Sequence, residues 1–377
     1  YLPPILLLMA YSLVGRLGWK RFALVGVCGI AIVLAVNAAP WLQNHQTFGK
    51  YIFSDDQVFN YSTDSVSPGT LASNVVRNGA IYLGTPVDAI NSESGELVAR
   101  SLKAVGADPD DPSTVFFGAS FEVPRAGPQE AHGPSILLAL LLGWSLALVA
   151  VSRAFRSRER TVWAVVIVCQ ILLFSLLIKW QPWHSRLHLP VVLMSAPLIG
   201  VALATSPSGP RANTRLTGAV VAIASLIAAS ALVFNVDRPL IGYAGHSSIL
   251  TTPRTSQYFA ARPELERPYR AITDELRSRG SAEVAIVGSF DDWYYPLSAL
   301  LGSATRTDYA LVDNESARYP QRAVSSVDSL ICLNCIDELR TVVSQAGLAP
   351  APGLRFIIPP TDGRSAATVE LWRRPPR

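Results

Sequence analysis

Long apolar runs constrain the fold of this chain more than any other feature of its sequence. A helix needs about 20 mainly apolar residues to cross a hydrocarbon core that is roughly 30 Å thick. Apolar runs of about this length, the first of them shorter, occur at 2–15, 22–42, 134–152, 161–178, 189–206 and 216–236. With 50% hydrophobic and 16% charged residues, the chain is too apolar for an ordinary soluble protein of its size. We therefore predict an α-helical polytopic membrane domain with about six spans.

Basic residues occur in alternate loops, and this pattern predicts the orientation of the spans because cytoplasmic loops carry an excess of Lys and Arg. The basic loops contain Arg16, Lys20 and Arg21, then Arg153, Arg156, Arg158 and Arg160, and finally Arg211 and Arg215. We expect these loops in the cytoplasm of a multi-pass protein of the cell membrane, with loop 43–133, link 179–188 and residues 237–377 outside. Each basic cluster abuts an apolar run, so membrane lipids, and not nucleic acid, are the expected partner.

The C-terminal region, 237–377, has the pattern of an α/β domain. Helical periodicity occurs at 266–279, 296–301 and 336–345, and β-strand character at 283–287, 309–312, 329–333, 354–358 and 368–372. This alternation predicts a small extracytoplasmic α/β domain with a largely parallel sheet, following a membrane domain that covers 1–236. Loop 43–133 holds only two short helical patterns, at 68–77 and 94–103, and we expect a cap folded against the membrane surface.

Cys332 and Cys335 form a lone Cys-x-x-Cys pair in the exported region. One such pair is too small for a structural zinc site, which takes four ligands. A disulfide in an oxidising compartment and a thioredoxin-like redox pair both fit the spacing. No other sequence feature of a redox domain accompanies the pair, and its role stays open at this point.

The link 180–190, Trp-Gln-Pro-Trp-His-Ser-Arg-Leu-His-Leu-Pro, joins two predicted spans. Tryptophan favours the headgroup level of a bilayer, where Lys179 and Arg186 can contact lipid phosphates. Arginine presents a planar fork of donors suited to phosphate oxygens, and His184 and His188 can donate hydrogen bonds or carry protons near neutral pH. Two interpretations follow: a site for an anionic group at the bilayer surface, or an interfacial anchor that only fixes helix depth.

Two further pairs of polar residues are candidates for ligand contacts. Glu130 and His132 precede the span that starts at Pro134, where they could bind a divalent metal or orient an acceptor hydroxyl; a solvated helix entry is the alternative. Asp291 and Asp292 follow strand 283–287. Ligands of open α/β sheets lie beyond the carboxyl ends of strands, so these residues are candidates for a sugar or acceptor contact, and a capping turn is the alternative.

A tryptophan-bearing loop, then Arg186, then Leu189-Pro190 at the start of a span resembles the late-loop motif of bacterial membrane glycosyltransferases of the GT-C class. These enzymes are related to the dolichyl-phosphate-mannose protein mannosyltransferases. The segment 129–134, Gln-Glu-Ala-His-Gly-Pro, similarly resembles a loop-to-helix junction of the family. The layout of many spans, one large exported loop and an exported α/β domain is similar too. The resemblance covers most of the chain by architecture, and two short motifs by sequence.

The resemblance implies transfer of a sugar from a polyprenyl-phosphate carrier to a glycan, lipid or protein acceptor outside the cytoplasm. Arg186, with His184 or His188, would hold the carrier phosphate and stabilise its developing charge. The family's catalytic acidic residue lies in the first exported loop. Because the chain starts at Tyr1 inside an apolar run, we expect a fragment that begins after that loop. Asp55 and Asp56 follow a later span, so the role is not assigned to them.

The main alternative function is non-catalytic: a transporter or a membrane scaffold with an exported binding domain. A transporter should carry ionisable residues deep within its spans, and the apolar runs contain almost none. A scaffold stays an alternative because the sequence identifies no general base.

Overall fold

The structure, a computed structural model, describes residues 2–48, 51, 61–127, 135–205, 209–243, 245–288, 292–303, 305–311, 327–360 and 366–375. The chain divides into two compact units. The first, here the membrane unit, contains Tyr1–Ala39 and Asp55–Val236, and the second, the tail unit, contains Pro40–Ser54 and Asp237–Arg377.

In the described residues before 237, the regular elements are helices. The α-helices are α1 (Leu2–Phe48), α2 (Pro68–Ala80), α3 (Asp88–Ala104), α4 (Ile136–Val151), α5 (Arg158–Leu177), α6 (Leu189–Thr205) and α7 (Pro210–Val233). Three of them have a serine N-cap. The side chains of Ser67, Ser135 and Ser157 accept hydrogen bonds from backbone N–H groups in the first turn of α2, α4 and α5. This N-cap satisfies a donor that the helix itself leaves unpaired.

Four segments among the described residues are long and apolar enough to cross a membrane: Gly18–Gln46, Arg158–Leu177, His184–Thr205 and Pro210–Val233. The prediction of a mainly helical region with several candidate membrane spans is confirmed. The predicted runs 2–15 and 22–42 both fall within α1, which is broken at Gly18 with a φ of 71°. The run 134–152 corresponds to α4, which is apolar but only 16 residues long, so the count of six spans stays a prediction.

Helices α4, α5 and α6 share an apolar core that includes Val149, Ile167, Val191, Leu198 and Ala202. A hydrogen bond of 2.6 Å from Trp163 Nε1 to the Met194 carbonyl joins α5 to α6. By contrast, the most apolar windows of Gly18–Gln46 and Pro210–Val233 bury none of their residues within the protein. Helices that are apolar all round and unburied by protein are typical of membrane spans.

The tail unit alternates helices and strands after residue 253. Its elements are α8 (Arg254–Gln257), α9 (Glu266–Ser278), β1 (Glu283–Gly288), α10 (Tyr295–Leu301), β2 (Arg306–Leu311), β3 (Ser329–Leu333), α11 (Asp337–Gln345), β4 (Ala349–Ile358) and β5 (Ala367–Arg373). The strands form one sheet in the order β2-β1-β3-β5-β4. The predicted α/β character of this region is confirmed.

The sheet is mixed, so the prediction of a largely parallel sheet was wrong. β1 pairs in parallel with β2 and β3, whereas β5 pairs antiparallel with both β3 and β4. The reason is the short connection between Ile358 and Ala367. A parallel pair needs a crossover of about a dozen residues or more, but a short connection can close a hairpin.

Both faces of the sheet are covered by helices. On one face, α9 and α10 contribute Ile272, Leu276 and Leu297 to a core with Ile286 and Ile331. On the other, Leu339 and Val343 of α11 pack with Val287, Leu330 and Cys332. Cys332 and Cys335 are joined by a disulfide, with Cα atoms 5.7 Å apart, and both residues are buried in this second core.

Candidate functional site

The link between α5 and α6 forms backbone hydrogen bonds with two segments of the loop that precedes α4. The Lys179 N–H donates to the Tyr61 carbonyl at 2.8 Å, and the Trp180 N–H donates to the Thr114 carbonyl at 2.8 Å. The Phe116 N–H donates back to the Trp180 carbonyl at 3.0 Å. These backbone bonds fix the start of the link, and a short 3₁₀-helix, His184–His188, completes it.

Two residues at the start of the link are buried in protein, contrary to their expected contacts with lipid. Lys179 is only 8% exposed and pairs with Asp64, with an Nζ–Oδ2 distance of 2.8 Å. Trp180 is fully buried in a small apolar cluster with Ile81 and Val115. The loop before α4 covers both side chains, and this tertiary packing overrides their general preference for the headgroup level.

The structure separates the three residues predicted to hold a phosphate. His184 and His188 are buried, whereas Arg186 is exposed. A 3₁₀-helix has three residues per turn, so positions 184, 186 and 188 point in three different directions. No hydrogen bond or ion pair joins the Arg186 guanidinium to another described residue, and its donors face outward.

The buried histidines are hydrogen-bonded to α2 and to the turn that follows it. His184 Nδ1 is 2.9 Å from Asn78 Oδ1, and His188 Nδ1 is 2.9 Å from Tyr82 Oη. The Asn78 amide nitrogen donates to Ser175 Oγ at 3.2 Å, so its oxygen faces His184. Because an amide oxygen only accepts, His184 must carry a proton on Nδ1. The Nε2 atom of His184 is buried without a hydrogen-bond partner in the described part of the chain.

Sequence reasoning missed the polar face of α2 that completes this cluster. Ser73, Asn74, Arg77 and Asn78 are all buried, and the Asn74 side chain donates to the Ser175 carbonyl at 2.8 Å. The signal was present in the sequence, because these positions are one, three and four residues apart and therefore share one side of a helix. A polar stripe on the buried side of an amphipathic helix marks a specific docking contact, here with the carboxyl end of α5.

Arg77 connects α2 to the acidic turn at 108–111. Its guanidinium donates to the Pro109 carbonyl at 2.9 Å and to Thr114 Oγ1 at 2.7 Å. Burial lowers the pKa of Arg77 to about 10, and the charges of Asp111, Asp110 and Asp108 oppose this shift. The side chain thus stays protonated at neutral pH. Since Thr114 also accepts the Trp180 N–H, Arg77 helps to hold the link in place.

A cavity of about 260 Å³ lies beside this polar cluster. Its walls are mainly apolar side chains of α4, α5 and α6, including Leu142, Phe174 and Val191. Asn78, Tyr82 and His188 bring polar atoms to the same cavity. Burial raises the pKa of Tyr82 to about 12, so its phenol is neutral and can donate or accept a hydrogen bond. An apolar cavity with a few polar groups is typical of a small-molecule site.

The remaining predicted site residues fall elsewhere. Glu130, His132 and Asp291 lie outside the described residues, as do Asp55 and Asp56, to which no role was assigned. Asp292 lies after β1 in the tail unit, where its Oδ1 accepts from Asn334 Nδ2 at 2.5 Å. Among the described residues there is no group of three or more His, Cys, Asp or Glu side chains that could hold a metal ion.

Comparison with known proteins returns no match to this chain, whether with family models, with curated proteins or with solved structures.

Proposed function

We propose that this chain is part of a membrane glycosyltransferase that moves a sugar from a polyprenyl-phosphate donor to an acceptor outside the cytoplasm. The observation that carries the proposal is the exposed Arg186 between two buried histidines, at the start of the candidate span His184–Thr205. An arginine that only fixes the depth of a helix needs no hydrogen-bonded residues beside it. Here the two histidines on either side of Arg186 are hydrogen-bonded to Asn78 and Tyr82. These bonds fix the backbone from which the Arg186 side chain extends, and a guanidinium suits a phosphate group.

The cavity beside the link supports the same proposal. Its apolar wall suits the hydrocarbon part of a lipid carrier, and His188 lines it only two residues from Arg186. In the proposed mechanism Arg186 binds the carrier phosphate by charge-assisted hydrogen bonds and stabilises the charge that develops as the sugar leaves. No described residue is assigned the role of general base.

The proposed topology has six spans, with the loop before α4, the link 179–188 and the tail unit outside the cytoplasm. The basic loops support this orientation. The Cys332–Cys335 disulfide supports the external position of the tail unit, because disulfides persist mainly in oxidising compartments. The polar cluster formed by α2 and the link then lies at the exported end of α5.

The test is Arg186→Ala in the full-length protein, reconstituted in nanodiscs and mixed with undecaprenyl phosphate, a polyprenyl phosphate without a sugar. Loss of one or two charge-assisted hydrogen bonds should weaken binding by at least about tenfold. Sugar transfer from extracted membrane lipids should fall to background, with unchanged membrane insertion. The control is Arg153→Ala, which removes an exposed arginine from a loop predicted to be cytoplasmic. Equal binding and transfer by the Arg186 variant would reject the phosphate role of Arg186, whereas an unaltered protein that transfers no sugar would favour a non-catalytic scaffold.

A further inference from the structure

Two glycines keep the cavity beside the polar cluster open. Gly79 of α2 and Gly143 of α4 both line it, and neither has the positive φ that favours glycine. Apart from chain neighbours and the backbone of the same helix, a Cβ atom at either position would meet no atom within 4 Å. Glycine inside a helix lowers its stability relative to alanine. Larger residues would therefore fit at both positions, and their absence leaves the space unfilled.

The wall of the cavity carries no charged side chain in the described part of the chain. It consists mainly of aliphatic residues, with Phe174 and a few neutral polar groups among them. Moving an ion into such surroundings is costly unless an opposite charge lies close to it. A ligand of this cavity must therefore be mainly hydrocarbon and carry no charge inside it.

Most polar groups at the wall are already paired within the protein. Asn78 bonds to both His184 and Ser175. The Ser195 hydroxyl donates to the Val191 carbonyl at 2.6 Å. These bonds stabilise the wall and leave little hydrogen-bonding capacity for a ligand.

His188 differs because one of its ring nitrogens stays available. Its Nδ1 is 2.9 Å from Tyr82 Oη, and no hydrogen bond joins its Nε2 to another described residue. The residue is only 7% exposed and lines the cavity. Unlike Nε2 of His184, Nε2 of His188 is not completely enclosed by protein, so a ligand in the cavity can reach it.

A hydroxyl group suits this nitrogen in either tautomer of His188. If Tyr82 donates to Nδ1, Nε2 carries the proton and donates, whereas Nε2 accepts if Nδ1 donates to Tyr82. A hydroxyl group can fill both roles, but a carbonyl oxygen only accepts and a hydrocarbon does neither. Because an unpaired polar atom in an apolar cavity is unfavourable, the ligand is expected to bring one hydroxyl group to this position.

The volume limits the length of the ligand. Since a cavity of about 150 Å³ holds a molecule the size of benzene, one of about 260 Å³ accepts roughly ten non-hydrogen atoms. We infer that this cavity binds an uncharged alcohol with a hydrocarbon chain of about nine carbons, whose hydroxyl group bonds to His188 Nε2.

The inference goes beyond the transfer proposal. That proposal requires only apolar contact between the cavity and a carrier lipid, whereas the alcohol site requires a hydrogen bond to His188. It does not require Arg186, which does not line the cavity.

The test uses the full chain in nanodiscs and an eight-carbon alcohol that carries a diazirine ring. After irradiation, mass spectrometry of peptides should locate the label on cavity residues of α4 and α6. An excess of 1-nonanol should reduce this labelling at least fivefold. Nonane and octyl sulfonate, at equal concentrations in the membrane, should reduce it less than twofold, because the first lacks a hydroxyl group and the second carries a charge.

Two variants test the position of the site. Gly143→Leu should abolish the labelling because the new side chain fills the cavity, and its matched control is Gly200→Leu, at an exposed glycine of α6 that does not line the cavity. His188→Asn keeps an amide that can bond to Tyr82 but has no atom at the position of Nε2. It should weaken the protection by 1-nonanol at least fivefold. Unchanged hydrogen exchange in α4, α5 and α6 would verify that both variants fold.

Three results would overturn the inference. They are equal protection by nonane or octyl sulfonate, unchanged labelling of the Gly143 variant, and no labelling of cavity residues in the unaltered protein. Arg186→Ala should leave the labelling unchanged while sugar transfer is lost. A failure of this site and a failure of the transfer proposal are therefore separate outcomes.

Discussion

Tyr82 of the membrane unit and Tyr269 of the tail unit are both shielded from water, and burial raises the pKa of both phenols. Their surroundings differ. Tyr269 packs edge-on against Phe259, with ring centroids 5.6 Å apart, in an apolar core. Tyr82 bonds to His188, whose neighbour His184 bonds to Asn78. Tyr269 is surrounded by hydrocarbon, whereas Tyr82 belongs to a cluster of hydrogen-bonded polar groups.

The two environments differ in how strictly they fix the local geometry of the chain. Apolar burial is non-directional and roughly proportional to the area removed from water. Buried polar groups are costly unless each finds its partner, so they fix one arrangement of the chain and tolerate few others. The polar cluster formed by α2 and the link therefore restricts the local geometry more than the apolar contacts around Tyr269 do.

The largest effect should come from the apolar core. Ile272→Ala removes a fully buried side chain of α9 and should lower the free energy of unfolding of the tail unit by about 2–5 kcal/mol. Hydrogen exchange should accelerate throughout β1, β3 and β5, because the whole sheet shares this core. Val342→Ala, at an exposed position of α11, should change exchange little. Acceleration confined to α9 would show that the core does not unfold as a unit.

An intermediate effect should come from the polar cluster. Asn78→Ala deprives His184 Nδ1 and Ser175 Oγ of their partner, at a cost of about 1–3 kcal/mol. Hydrogen exchange should accelerate in α2 and in the link, and sugar transfer should fall because Arg186 loses its support. The control is Val76→Ala, which alters an exposed neighbour on the same helix. Normal transfer by the Asn78 variant would mean that the cluster is only structural.

The smallest effect should be a pH dependence at the surface of the tail unit. A hydrogen bond from Arg279, then the charges of Arg279 and Arg373, hold the pKa of Glu275 below its ordinary value of 4.5. A lowered folded-state pKa contributes stability above the unfolded value, and this contribution is lost as pH falls through the folded value. Glu275→Gln should thus lower the free energy of unfolding at neutral pH by less than about 1 kcal/mol. The melting temperature of the full chain should fall slightly.

The comparison of melting curves at neutral pH and at a pH well below the folded-state pKa of Glu275 checks this sign. The difference between the unaltered protein and the Glu275 variant should vanish in acid, where both side chains are uncharged. A difference that grows in acid would contradict the ion-pair explanation.

Much of the tail unit was predictable because its elements have local signals. β3 was predicted to the residue, since an uninterrupted apolar run ends at Asn334. β4 starts at Ala349, five residues before the predicted start at 354. The predicted start was late because residues 349–353 contain two prolines and a glycine, which are typical of a turn. The strand lies at the edge of the sheet, with a shift of register after Pro350, and an edge strand tolerates proline.

The candidate site was less predictable because it depends on contacts between distant segments. The sequence pointed to the link, but its composition could not show that His184 and His188 are buried and Arg186 is exposed. That division comes from Asn78 and Tyr82, about 106 residues earlier in the chain, and from the three-residue turn of the 3₁₀-helix. The spacing of the polar residues on one side of α2 could have predicted a buried polar contact, but only the apolar residues were used to predict this helix.

The Cys332–Cys335 disulfide closes a ring of only four residues. A loop this short restricts the unfolded chain little, and the chain-entropy relation gives it about 2 kcal/mol, less than a long loop would provide. Its greater consequence is local. Asn334 lies inside the ring with a φ of 51°, in the left-handed region that non-glycine residues seldom occupy. The covalent ring and the two bonds to Thr368 together keep this conformation, and with it the direction in which the Asn334 side chain reaches Asp292.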